Sequence, residues 1–345
     1  MYDGFYNLTR KPFQLTADSD FYFNSAVHRR ALAYMRYGLT QGEGFVVVTG
    51  KPGTGKTMLV KELVNSLSAD NITIGIMVSS QVGADDLLKI ISATFGLPYD
   101  GEDKSTLLTR IERFFIQQAM AGKRVLMIVD EAQNLPKDSL EELRMLSNFE
   151  MSGKTLFQTF LIGQKQLGDT MMLPEMEQFK QRIVATYQLK PLDEDETRHY
   201  ILFRMQKAGW KNSPQFDDDI FSEICRYTQG IPRRINTLCD RVLLFGYLDE
   251  LKVIKLNAVQ KVIADIEEEA STVTDEFHDI IPVSSTAVAS SSDMVNGAYE
   301  DRISALEKMV ANLQVAMGKE KALLRKAILL QLDMDSVYSE DSTQG

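Results

Sequence analysis

The sequence predicts an α/β fold: a parallel sheet covered by helices on both faces, then a small all-α domain, then a helical tail. Three observations predict it. Short apolar runs alternate with helical stretches between residues 45 and 190. From about 193 the strands disappear while helical periodicity continues. Residues 271–298 lose periodicity altogether before a helical pattern returns at 299–332. Alternating strands and helices read as parallel strands joined by crossover helices.

Residues 1–44 are aromatic-rich and lead into the core through a helix over Ser25–Leu39. The strand candidates of the core, 45–192, are FVVVTG, ITIGIMVS, RVLMIVD and TFLIG, with a short fifth strand in ATYQLKPL. Helical patterns fall at 55–68, 84–95, 104–121 and 138–149. The helical domain, 193–270, holds segments 193–208, 217–228, 231–248 and 257–269. A flexible linker is expected at 271–298, which contains SSTAVASSSD. In the tail, 299–334, Ile303, Leu306, Val310, Leu313 and Met317 follow a 3-4-3-4 spacing that weakens at Glu320. That pattern suits either a short coiled coil or a surface amphipathic helix.

Composition narrows the function classes. The 345 residues are enough for two domains and a tail, and 44% hydrophobic with 25% charged content is ordinary for a globular protein. A formal net charge of −10 argues against non-specific binding to nucleic acid. Cys225 and Cys239 are the only cysteines, beside three histidines, too few for a disulfide framework or a zinc site. They read as buried thiols. The opening MYDGFYNLTRKPF has no signal-peptide core, and no window reaches the roughly 18 apolar residues of a membrane span. The simplest location is the cytoplasm, with peripheral attachment at the inner membrane as an alternative.

The chemistry starts at VVVTGKPGTGKTMLV, residues 46–60. Gly50-Lys51-Pro52-Gly53-Thr54-Gly55-Lys56-Thr57 is a complete P-loop pattern, fed by a strand and left by a helix. Its glycines let successive N–H groups wrap phosphate oxygens, and the helix adds its positive dipole end. Lys56 would reach the β- and γ-phosphates of ATP, and Thr57 would place its hydroxyl on Mg2+.

A second carboxylate motif is needed at a neighbouring strand end. Asp130, after VLMIV, suits the metal role, and Glu131 suits polarisation of the attacking water, which favours hydrolysis over binding alone. Gln164 closes the TFLIG strand, where a γ-phosphate sensor is wanted. Arg182, before the fifth strand, either reaches a neighbouring subunit's nucleotide or is an ordinary surface arginine. Arg233, in GIPRRIN, begins a helix behind Pro232; it either points back at the preceding domain or is a solvated helix start.

Gly50–Thr57, VDEAQNL at 129–135, LIGQ at 161–164, QRI at 181–183 and GIPRRIN at 230–236 together resemble the AAA+ ATPases of the general secretion pathway A type. The aromatic and Pro-Phe opening resembles the family's start, and the likeness covers about residues 1–270. It implies a P-loop NTPase core with a helical lid, ATP and Mg2+ as ligands, and a homo-oligomer working with protein components of an envelope export system. It implies Asp130 as the metal-side carboxylate, Glu131 as the catalytic one, Gln164 as first sensor, Arg182 as arginine finger and Arg233 as second sensor. His28 lies where such ATPases often contact adenine, and a surface helix histidine is the other reading. In that family a membrane span and a periplasmic part usually follow the core, whereas 271–298 is polar here. A short form of this kind looks like the ATPase found with bacterial exopolysaccharide and exosortase (PEP-CTERM) systems. The rival classes are a DNA-associated ATPase of the transposition-regulator type and a nucleotide-dependent scaffold with little turnover.

Overall fold

All six residues of β1 (Phe45–Gly50) are buried, as a central strand covered on both faces requires. The computed structural model describes residues 2–278 except 17, 68–70 and 79–81, with side chains described through Glu269. The other main strands are β2 (Ile72–Val78), β3 (Arg124–Asp130), β4 (Phe157–Gly163) and β5 (Ile183–Leu189). Their order is β2-β3-β4-β1-β5, all parallel. β1 therefore lies between β4 and β5, although β2 follows it in sequence. A crevice opens where the order reverses, outside the carboxyl ends of the strands, and that is where α/β sheets hold ligands.

Alternation along the strands sends side chains to two cores. Phe45, Val47, Met127, Val129 and Leu161 face one side. There they pack on helices α3 (Ala84–Thr94), α4 (Lys104–Met120) and α5 (Lys137–Leu146). Val46, Val48, Leu126, Ile128, Phe160 and Ile162 face the other. That face is covered by α1 (Ala26–Gln41), capped by Ser25, and α2 (Lys56–Leu67). Each such side chain, fully buried, contributes about 1.5–3 kcal/mol. After β4 comes a short helix, α6 (Lys165–Met171).

The helical domain is α7 (Glu194–Lys207), α8 (Asp219–Thr228), α9 (Pro232–Leu248) and α10 (Leu256–His278). Two findings differ from the sequence expectation here. Strands do not vanish entirely, because Gln215–Phe216 pairs in parallel with Val253–Ile254. And α10 runs through His278, past the expected linker start at 271. The apolar seam from Ile303 to Met317 and the rest of the expected linker lie outside the described residues.

The aromatic N-terminal segment has a different place from the one its sequence suggests. Tyr2, Tyr6, Leu8 and Phe13 belong to the helical domain's core, packed with Ile201, Phe221, Ile235, Leu243 and Val259. The Tyr6 hydroxyl donates to the Leu251 carbonyl at 3.0 Å, and the Tyr2 hydroxyl donates to Asp240. Arg204 of α7 fastens the next stretch, donating from Nε to the Pro12 carbonyl at 2.6 Å and from Nη2 to the Gln14 carbonyl at 3.3 Å. Two guanidiniums lie over the Phe21 ring, Arg10 at 4.4 Å and Arg204 at 4.6 Å from its centroid. Only then does the chain turn into α1. The segment thus straps the helical domain first and the sheet second. Sheet, helical domain and strap all belong to one compact unit, residues 1–275.

Candidate nucleotide-binding site

The chain leaves β1 at Gly50 and re-enters helix at Lys56. Gly53 and Gly55 have φ of +80° and +97°, left-handed values that ordinary side chains avoid. A Cβ on Gly53 would come within 2.7 Å of the Arg233 Cβ, and one on Gly55 within 2.8 Å of His28 Nε2. Pro52 is exposed, while Thr54 is buried, its hydroxyl donating to the Lys51 carbonyl at 2.8 Å. Lys56 Nζ folds back over the loop, donating to the Gly50 and Lys51 carbonyls at 3.1 and 3.2 Å. Burial lowers the Lys56 pKa; the nearby Glu131 and Asp130 charges pull the other way.

Thr57 Oγ1 donates to Asp130 Oδ2 at 2.8 Å, joining the loop to the end of β3. The register that sets Val78 beside Asp130 and Thr49 beside Gly163 lines up these strand ends. Glu131 follows with φ +54° and ψ +36°, a left-handed conformation that is strained for a residue with a side chain. Gln133 Nε2 donates to Glu131 Oε2 at 2.6 Å, and Gln164 Nε2 does so at 3.3 Å.

His28 is not a surface histidine. It is buried, with Nδ1 2.8 Å from Ser25 Oγ and Nε2 3.2 Å from the Thr54 carbonyl. A carbonyl only accepts, so Nε2 carries the proton and Nδ1 accepts from Ser25. Burial lowers its pKa to about 4, against a smaller upward effect of the Thr54 hydrogen bond.

A cavity of about 300 Å³ joins these parts. The loop and strand ends line it with Gly53, Gly55, Lys56, Thr57 and Glu131, the N-terminal strap with Phe21, Tyr22 and Phe23, α1 with His28, and the helical domain with Tyr200, Arg204, Arg233 and Asn236. Its size suits a small-molecule ligand. The Arg233 backbone N–H donates to the Gly53 carbonyl at 3.2 Å, so the start of α9 touches the loop. Gln164 stands behind Glu131 and outside the cavity lining. Arg182 is also outside it; its guanidinium donates to the Ser147 carbonyl and hydroxyl at 3.3 Å each.

Gln133, although it lies within VDEAQNL, and the cavity-lining aromatics of the strap are site residues beyond those the motifs predict. Their only signal was the density of aromatics before residue 24. Thr57 and Asp130 supply a hydroxyl and a carboxylate oxygen, hard donors that suit Mg2+. No group of three or more His, Cys, Asp or Glu side chains that could hold a metal occurs among the described residues. Mg2+ on phosphates needs no such group, since it keeps waters and takes one or two protein oxygens.

Fold and site together define a P-loop NTPase of the AAA type, and residues 39–171 match the family model described as AAA domain. Residues 39–171 belong to the AAA domain family, and the chain is related to general secretion pathway protein A of Aeromonas hydrophila. The two are 38% identical over 248 residues, which make up 72% of this chain and 45% of that protein. The chain thus spans under half the length of this relative. Among solved structures, CDC6p from Pyrobaculum aerophilum superposes with a TM-score of 0.56 at 16% identity, covering 72% of this chain and 70% of that one. The Aeropyrum pernix ORC2 protein gives 0.54 at 16%, covering 72% of each chain. These likenesses bear on the fold alone. No helix among the described residues is long and apolar enough to cross a membrane.

Proposed function

We propose that this chain hydrolyses ATP and couples turnover to assembly or regulation of a bacterial envelope export system, of secretion or exopolysaccharide/exosortase type. The reading rests on one observation: Lys56, Thr57 and Glu131 line a single cavity whose far wall is the helical domain, with Asp130 hydrogen-bonded to Thr57 at its edge. Lys56 would leave the loop carbonyls for the β- and γ-phosphates, and His28 and the strap aromatics would flank adenine. Thr57 and Asp130 would hold Mg2+, which offsets phosphate charge. Glu131 would take the proton of the attacking water. Arg233 would meet the phosphates from the helical domain, and Arg182 would serve the nucleotide of an adjacent copy in a homo-oligomer. The envelope role follows the relative named general secretion pathway protein A, and the place of work is the cytoplasm or the inner-membrane surface.

Two variants test the chemistry. Lys56→Ala removes the side-chain cation of the cradle and should abolish ATP binding. Glu131→Gln keeps the shape and removes the base, so ATP affinity should hold while turnover falls about 10²–10⁴-fold. Titration with a fluorescent ATP analogue and phosphate release measure the two effects. Unchanged affinity in Lys56→Ala, or normal turnover in Glu131→Gln, would overturn the assignments.

A further inference from the structure

We propose that Gln133 is the positioning residue for Glu131, fixing one carboxylate oxygen so that the other is presented to the attacking water. This rests on the ATPase reading above and adds a residue to it.

The orientation of the Gln133 amide follows from its partners. Its Oε1 accepts the Gln164 backbone N–H at 2.9 Å. A backbone N–H only donates, so the amide cannot be turned round, and Nε2 must face Glu131 Oε2, 2.6 Å away. The donor is thereby anchored to main chain at the end of β4. A Cβ on Gly163 would stand 2.9 Å from Gln133 Oε1, so the strand ends on the residue that leaves the amide its place. Gln164 Nε2 approaches the same oxygen at 3.3 Å. Both side-chain donors therefore converge on Oε2, and Oε1 has no hydrogen-bond partner among the described residues. Glu131 lines the cavity, whereas Gln133 and Gln164 do not. One oxygen is tethered from behind and the other is free to act. The left-handed Glu131 backbone, φ +54°, is itself fixed, its N–H donating to Asp130 Oδ1 at 2.9 Å and its carbonyl accepting the Asn134 N–H at 3.0 Å, so the two amides act on the side chain alone. Catalytic geometry is sensitive at the 1 Å scale, where misplacement costs about 10²-fold in rate.

Two variants separate tethering from packing. Gln133→Met keeps length and volume without hydrogen bonds. Gln133→Glu keeps an acceptor for the Gln164 N–H but sets a carboxylate against Glu131. In the full chain with Mg-ATP, both should lower kcat by roughly 10–100-fold while the Kd for ATP stays within about 3-fold. A double-mutant cycle provides the decisive reading, because a residue acting only through Glu131 adds no further loss in the Glu131→Gln background. Retained ATP binding certifies folding, and either variant alone suffices should the other fail to fold. A kcat within about 2-fold of wild type, a rise in kcat, a parallel loss of affinity, or a full additive loss on top of Glu131→Gln overturns the proposal. Wild-type turnover that stops in Glu131→Gln but survives in both Gln133 variants overturns this inference alone. Absence of turnover in wild type overturns the ATPase reading and this inference with it.

Discussion

At His28 a single imidazole joins α1 to the phosphate loop, and its burial makes the joint sensitive to pH. The ring is neutral in the folded chain because its pKa is lowered to about 4 from the ordinary 6.5. Above pH 6.5 both folded and unfolded forms are neutral and the group has no effect on stability. Below 6.5 the unfolded chain takes up a proton that the folded chain refuses. Stability is therefore lost as pH falls from 6.5 to about 4, with a slope of up to about 1.4 kcal/mol per pH unit. Urea unfolding across this window should show a slope smaller by up to one proton in His28→Gln; identical slopes would mean the ring protonates freely in the fold. The strain at Glu131 belongs to the same scale. The sequence shows a carboxylate at a strand end, but neither its left-handed backbone nor its tether is visible there; the first is set by the turn that follows β3 and the second by where β4 stops.

The N-terminal strap and the helical domain are the elements whose fates are tied. Tyr6 is 1% exposed inside a core that, apart from its strap neighbours Tyr2, Leu8 and Phe13, is supplied by residues about two hundred positions later. Tyr6→Ala removes a buried ring and a hydroxyl bonded to the Leu251 carbonyl, and should cost about 3–5 kcal/mol. Trp210, the only tryptophan, packs in this core, so its emission during urea unfolding reads the helical domain directly. An unchanged midpoint would show that the strap is ornamental to that core. The elements were legible in proportion to their periodicity. FVVVTG and RVLMIVD are unbroken apolar runs, and a covered parallel strand has no other pattern to offer. The fifth strand, Ile183–Leu189, alternates burial at an edge and begins earlier than ATYQLKPL suggests. The strap was legible as aromatic but not as part of the helical domain, because its partners are distant in sequence and no periodicity records a tertiary contact. The site divides in the same way: Lys56, Thr57, Asp130 and Glu131 sit in local motifs, whereas the support from Gln133 exists only once two strand ends are adjacent.

For the molecule as a whole the position of Arg182 sets the expectation. It lies outside the cavity of its own chain and donates to Ser147, so any action on a nucleotide would be on that of a neighbouring copy. An arginine supplied to the γ-phosphate can be worth roughly 10³–10⁵ in rate. Specific ATPase activity should then rise with protein concentration, and Arg182→Ala should lose turnover while keeping ATP affinity. Mixing Arg182→Ala with Glu131→Gln should restore part of the activity, since a mixed assembly contains interfaces with both groups intact. Flat specific activity over a hundredfold dilution would argue for a self-sufficient monomer. A second expectation concerns the unit boundary: removing residues 276–345 should leave a folded core with its ATP affinity unchanged, and calorimetry with nucleotide titration checks it. The strap also imposes an order on synthesis. Tyr2 and its partner Asp240 are 238 positions apart, and a ribosome adding about 5–20 residues per second needs roughly 10–50 s to cover that distance. During that interval Tyr2, Tyr6, Leu8 and Phe13 still lack the partners that α9 supplies. The nascent chain therefore carries this aromatic stretch without its native packing until the helical domain has been made.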